Sequence, residues 1–297
     1  MVTRNQIFMF FVFVFVISYG YSQKERMQLL FPHQFNAINP ARIGLLERIN
    51  LGADFNTQWL GIDQAPKKQS IYFEIPIPFK KITFGGLLTN FNSFNENQIA
   101  VIGQFSFLLN LKEGNYLRFG IKAGLKNYNI NYEGLQSIDS VTLDPLLKEH
   151  SFFYPNLGIG GYLKIKTYFV SLAFPKLLQH LLKMKYEQEF YLTNRFIFLI
   201  RTGWEQKLRF SQWILKFSGM VYNKNSKTDF QLQSSIHNKF GAFFLSYQTP
   251  KIVGIGIVLH EKKMISVSYG YEFSIRSKEN LNVKNNSLSL FFRLGNN

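Results

Sequence analysis

Tyr116-Leu117-Arg118-Phe119-Gly120-Ile121-Lys122-Ala123-Gly124-Leu125-Lys126-Asn127-Tyr128-Asn129-Ile130 is the stretch whose reading decides the fold. Leu117, Phe119, Ile121, Ala123 and Leu125 alternate with Arg118, Gly120, Lys122, Gly124 and Lys126. A helix would scatter those five apolar residues around its circumference, whereas a strand lines them up on one face. The stretch therefore reads as a strand with one oily side and one wet, basic side. An inward Gly124 facing water would tolerate a lysine better than an outward Ala123 facing hydrocarbon.

The same period recurs in both directions. Upstream, Ile49, Leu51, Ala53, Phe55 and Trp59 oppose Asn50, Gly52, Asp54, Asn56 and Gln58 in a strand carried as far as Gly61. Downstream, Ile265, Val267, Tyr269, Tyr271 and Phe273 oppose Ser266, Ser268, Gly270 and Glu272. At the end Leu288, Leu290, Phe292 and Leu294 oppose Ser287, Ser289, Phe291 and Arg293. Repeated two-faced strands with no continuous apolar strand between them indicate a barrel with lipid outside and water inside. About fourteen strands are counted from Ile49 to Leu294, an even number as single-chain bacterial barrels require. The last strand is expected to pair with the first, because an open edge in hydrocarbon leaves backbone groups unpaired.

Composition agrees with this reading. The 297 residues suit one large β domain, and 32 Phe and 15 Tyr against 9 Pro favour strands. With no Cys, a disulfide framework, thiolate metal sites and a lipoprotein anchor are excluded. The net charge of +16 would suit nucleic acid if it were clustered. It is instead spread over strands, as in Arg118, Lys122 and Lys126, so a basic lumen or rim is expected and no nucleic-acid partner.

Residues 1–22 start basic at Arg4, run apolar from Ile7 to Ile17 and end on Ser18, Gly20 and Ser22. They read as a secretory signal peptide, since the apolar run is about half of what a spanning helix needs. Lys24 to Ala37 lack a clean period, and Phe31-Pro32 and Asn39-Pro40 predict that residues 23–45 form an extended periplasmic or lumenal arm that plugs or lines the barrel. The barrel itself takes residues 46–297. Within it the run 92–97 is a hairpin loop and 131–151 the longest loop. Residues 175–185 could form a short rim helix, with Leu177, Leu178, Leu181 and Leu182 at helical spacing.

Sites of chemistry are few. His33, His150, His180, His237 and His260 have no close carboxylates at ligand spacing, so neither a metal nor a cofactor is expected. Gly158-Ile159-Gly160-Gly161 sits inside an alternating strand, where small residues let neighbours pack, rather than before a helix as a phosphate loop would. Ser151, His150 and Asp144 share a loop but lack a nucleophile elbow. The three tryptophans Trp59, Trp204 and Trp213 fall near strand ends, where they either join aromatic girdles or pack between loops.

Several segments together carry a family likeness: Asn39-Pro40-Ala41 with Gly44, Gln58-Trp59-Leu60-Gly61, Ala65-Pro66-Lys67-Lys68-Gln69-Ser70, Asp144-Pro145, Pro155-Asn156-Leu157-Gly158-Ile159-Gly160 and Ser268-Tyr269-Gly270-Tyr271-Glu272. In these the chain resembles the PorP/SprF family over nearly its whole mature length. The resemblance implies a non-enzymatic outer-membrane barrel of the Bacteroidota tied to type IX secretion and gliding motility. It further implies export or surface attachment of cargo or an adhesin with a C-terminal sorting domain, and contact with a periplasmic lipoprotein ring. By the same resemblance Asn39, Pro40, Ala41, Gly44, Trp59, Gly61, Ala65 and Pro66 are the partner-binding candidates. Glu272 stands where the family often has Asp, and Asn286-Ser287-Leu288 where it has a His-Glu pair. The competing reading of the residues is a porin or transporter whose lumen-facing Arg118, Lys122 and Lys126 pass an anionic or hydrophobic solute.

Overall fold

A computed structural model describes residues 30–130, 150–178, 197–208, 212–224, 227–249, 251–260, 264–275 and 284–294. The signal segment, the loop at 131–149 and most of the expected rim helix lie outside these residues. The described chain forms fourteen antiparallel strands closed into one barrel. They are β1 (Ile49–Thr57), β2 (Lys67–Ile77), β3 (Ile82–Ser93), β4 (Glu96–Asn110), β5 (Tyr116–Ile130), β6 (His150–Ile165) and β7 (Tyr168–Lys176). There follow β8 (Ile197–Lys207), β9 (Ile214–Lys224), β10 (Lys227–His237), β11 (Gly241–Gln248), β12 (Ile252–Leu259), β13 (Ile265–Ser274) and β14 (Lys284–Leu294). Each strand pairs with its sequence neighbours, and β1 closes on β14 with Ile49 opposite Leu294 and Thr57 opposite Asn286.

Closure satisfies both edges of the sheet, which is what a hydrocarbon surround demands. The apolar faces point outward. Leu51, Phe55, Ile71, Val101, Phe119, Ile121, Leu125, Leu288 and Leu290 are all exposed, while Asn50, Asp54, Ser106, Arg118, Lys122, Ser268, Ser287 and Ser289 are buried. This inversion of an ordinary globular core places the protein in the outer membrane as an integral barrel. Six short connections, such as the one between Ile165 and Tyr168, share one end with the start of β1 and the end of β14. The long connections between β5 and β6 and between β7 and β8 share the other. Short turns mark the periplasmic end and long loops the outer one.

Local differences from the alternation have physical causes. β1 stops at Thr57 rather than near Gly61: Gln58 still donates to Pro66 O at 2.9 Å, but Trp59 takes φ +52° and turns the chain. The hairpin of β3 and β4 is tighter than 92–97, because pairing continues to Ser93 and Glu96 with Phe94 at φ +49°. β6 begins at His150, inside the expected loop, and Pro175 and Lys176 end β7 instead of opening a helix. Pairing of β7 with β8 slips between Ala173 and Lys176. Gly124 is not a roomy inward position, since a Cβ there would lie 2.1 Å from Val101 O.

Trp204 and Trp213 lie at the periplasmic ends of β8 and β9, with Tyr168 paired beside Trp204, as a girdle requires. Trp59 instead sits in the β1–β2 connection, its ring centroid 5.9 Å from that of Phe94.

Candidate functional site

The site is the lumen, and what fills it is the arm before β1. Pro fixes the backbone at two places. Pro32 and Pro40 each start a single 3-10 turn, Pro32–Phe35 and Pro40–Arg42, as a residue that lacks an N–H and is locked near φ −65° can. Asn39 caps the second turn, its Oδ1 accepting from Ala41 N at 2.9 Å. Its amide nitrogen donates to Ser171 Oγ at 2.8 Å and to Gly161 O and Leu172 O at 3.1 Å. One side chain thus shapes the arm and ties it to β6 and β7.

Two wall glycines make that approach possible. A Cβ on Gly160 would lie 1.9 Å from Asn39 Oδ1, and one on Gly120 would lie 2.3 Å from Ala41 N. The small residues of β6 therefore admit the arm itself, beyond letting neighbouring strands pack. Gly44, at φ +76° and pressed against Thr83, bends the chain toward β1.

The wall grips the arm along its length. Arg118 donates to Ile43 O at 3.1 Å and Gly44 O at 2.9 Å, and Ser106 Oγ also donates to Ile43 O. Lys122 Nζ donates to Ala37 O at 2.8 Å. Glu74 accepts from Asn36 Nδ2 at 2.7 Å and from Gly44 N at 3.0 Å. Further in, Gln34 Nε2 donates to Asn56 Oδ1 and Ser287 Oγ, and Gln233 donates to Leu30 O. His33 Nε2 lies 2.9 Å from Asp54 and 3.1 Å from Ser289 Oγ. Leu30 and Phe31 pack on Ala242, Phe244 and Val258, and Phe35 and Ile38 on Ala173, Leu199 and Met220. The arm crosses the barrel from the β3–β6 wall to the β10–β13 wall.

The eight residues marked by the opening motifs are therefore not brought together. Asn39, Pro40 and Ala41 are buried in the lumen, with Gly44 beside Thr83. Trp59, Gly61, Ala65 and Pro66 form the β1–β2 connection at the outer mouth, where Gly61 has φ +91° and open space around it. Of the basic positions, Arg118 and Lys122 are buried against the arm, and Lys126, half-buried, lies on the same face nearer the outer end. Arg118 and Lys122 face carbonyls of the arm.

Sequence reading missed Glu74, Arg42 and Arg201. Glu74 carries a recoverable signal, a carboxylate at an inward position of β2; Arg42 sits in aperiodic chain and gives none. Arg42 is buried over the rings of Phe35 and Tyr162, at 5.6 and 5.4 Å, and Arg201 lies 3.9 Å from the Phe35 centroid. Two cavities lined by described residues border the arm. The outer one, of about 120 Å³, lies between His33, Asn36 and the wall from Asp54 to Gln104. The inner one, of about 380 Å³, opens among Arg42, Arg201, Tyr162 and Glu205 at the periplasmic end. Among the described residues no group of three His, Asp or Glu side chains is placed to hold a metal ion.

Residues 22–292 match the model of the family described as type IX secretion system membrane protein PorP/SprF. No curated protein matches the chain. Among solved structures it is similar to the Acinetobacter baumannii outer membrane protein Omp33, at 7% identity over 83% of this chain and 98% of that one, with a TM-score of 0.49. A mutant of the Rh. blastica porin aligns at 9% identity over 83% and 99% of the two chains, with a TM-score of 0.37.

Proposed function

The chain belongs to the type IX secretion system membrane protein PorP/SprF family, and from that premise we propose that it is a non-enzymatic accessory barrel of the secretion and gliding machinery. In this role it supports export or surface attachment of cargo, or of an adhesin, with a C-terminal sorting domain. It works by docking proteins, among them components of the periplasmic lipoprotein ring, with the outer mouth around Trp59 and Gly61 as a second contact region.

The observation that carries this reading is the occupied lumen. Arg118 and Lys122, the cations that a solute pathway would use, are hydrogen-bonded to carbonyls of the arm. A porin needs a polar channel filled with water. Here the polar wall is matched to a covalently attached plug.

The test is the secreted and surface proteome of a strain deleted for the gene, against wild type and a complemented strain. Selective loss of proteins bearing the C-terminal sorting domain is expected. An unchanged proteome, together with steady conductance of the purified barrel in planar bilayers that shifts in Lys122→Met, would favour the transporter reading instead.

A further inference from the structure

The inner cavity is charged in a way that the arm does not explain. Its described lining includes five cations, Arg42, Lys164, Arg201, Lys216 and Arg293, against one carboxylate, Glu205. Glu205 is already committed, accepting from Lys164 at 2.6 Å and lying 3.3 Å from Lys216. Arg42 and Arg201 both lean on Phe35, and neither reaches a carboxylate among the described residues. Arg201 is held by Ser218 Oγ at 2.9 Å and Gln233 Oε1 at 2.8 Å. Arg42 is 7% exposed, and its Nε has no hydrogen-bond partner.

A buried cation without an anion is costly, and two neighbouring ones repel each other. A guanidinium offers forked donors that match a carboxylate in two-pronged geometry, and its position over a ring keeps the plane fixed. Around the pair the lining turns apolar and aromatic, with Leu45, Tyr116, Tyr162 and Phe169. That mixture suits a peptide side chain beside its carboxylate better than a bare inorganic anion. The cavity lies at the end with short turns, which is the periplasmic side.

We propose that the inner cavity is a docking site for an acidic peptide segment of a periplasmic protein, with Arg42 and Arg201 holding one carboxylate between them. This rests on the secretion reading for the class of partner, and on the cavity alone for its chemistry. The lysine pair at Glu205 forms the outer edge of the site. Glu205 keeps both lysines in place and turns away ligands that carry charge too near the rim.

The test uses the full-length barrel in detergent and a fluorescein-labelled ten-residue peptide with two Asp residues, followed by fluorescence anisotropy. The same peptide with Asn for Asp is expected to bind at least tenfold more weakly, and binding to fall as salt rises. Arg201→Gln should weaken binding at least tenfold. Because Arg201 also braces the wall, Ser235→Glu provides an independent variant: Ser235 lines the cavity, and a carboxylate there should compete with the peptide without removing any arginine. Arg42→Gln should lower affinity while leaving the melting temperature unchanged or raised, as expected of a cation kept for binding rather than for stability. Equal binding of the Asp and Asn peptides, or displacement by phosphate alone at the peptide's own concentration, would overturn the proposal. Peptide binding lost with an altered deletion-strain proteome would sink this site and leave the secretion role standing; binding with an unchanged proteome would do the reverse.

Discussion

The two halves of the opening segment look alike in sequence and end in opposite surroundings. Both are short, and each carries one Gly and one Pro. The first, Asn39 to Gly44, is buried in the lumen and hydrogen-bonded to β2, β4, β5, β6 and β7. The second, Trp59 to Pro66, is a connection at the outer mouth held by its own turns, by Phe94 and by Asn285, whose Oδ1 accepts from Trp59 N at 3.1 Å. Residue type therefore says little about which half is structural. The first half is buried against five strands; the second keeps residues 61–64 exposed, with Ala65 and Pro66 buried.

The wall on which both halves depend sets the scale. Ala123→Lys turns a cation into hydrocarbon and should cost about 2–4 kcal/mol, read as loss of the heat-modifiable folded band. Gly124→Lys, clashing with Val101 O, should do comparable damage. The inward control is therefore Ser235→Glu, which places a carboxylate among the cations lining the inner cavity and should do less damage than either. Next comes Gly160→Val, which drives a side chain into Asn39 and should cost about 3 kcal/mol in urea unfolding, with the arm newly open to protease. Asn39→Ala frees Ser171 and two wall carbonyls inside the lumen and should cost about 2 kcal/mol. Trp59→Ala should cost about 1 kcal/mol at most, and Trp59→Gly less still, because glycine relieves the positive φ. Equal effects of Asn39→Ala and Trp59→Ala on stability would erase the distinction between the halves. A secretion defect in Trp59→Ala with unchanged stability would sharpen it.

How much of this was legible depends on the range of the interaction. The alternation in Tyr116 to Ile130 is a local signal, since each residue's face is set by its parity, and so the strands, their order and the outward lipid face could all be read from sequence. The pairing of the last strand with the first also followed, because closure is forced once the sheet is in a membrane. The contacts of the plug could not be read in the same way. Asn39 meets residues 161, 171 and 172, and Gln34 meets Ser287, contacts with no sequence period behind them. Arg118 and Lys122 lie buried, and their partners are carbonyls of the chain's own arm. Cations and water-facing parity look identical whether the lumen holds solvent or peptide.

The arm also measures the barrel. It touches β1 at Asp54, β5 at Arg118 and Lys122, β7 at Ser171, β10 at Gln233, and β14 at Ser287 and Ser289, so it spans the lumen in several directions at once. Barrel diameter grows with strand number. A hairpin duplicated or deleted elsewhere in the chain would leave this insert too narrow or too wide for its bore. Strand number is thereby fixed by fewer than twenty residues that belong to no strand, and a change in circumference during evolution would require the insert to be rewritten at the same time.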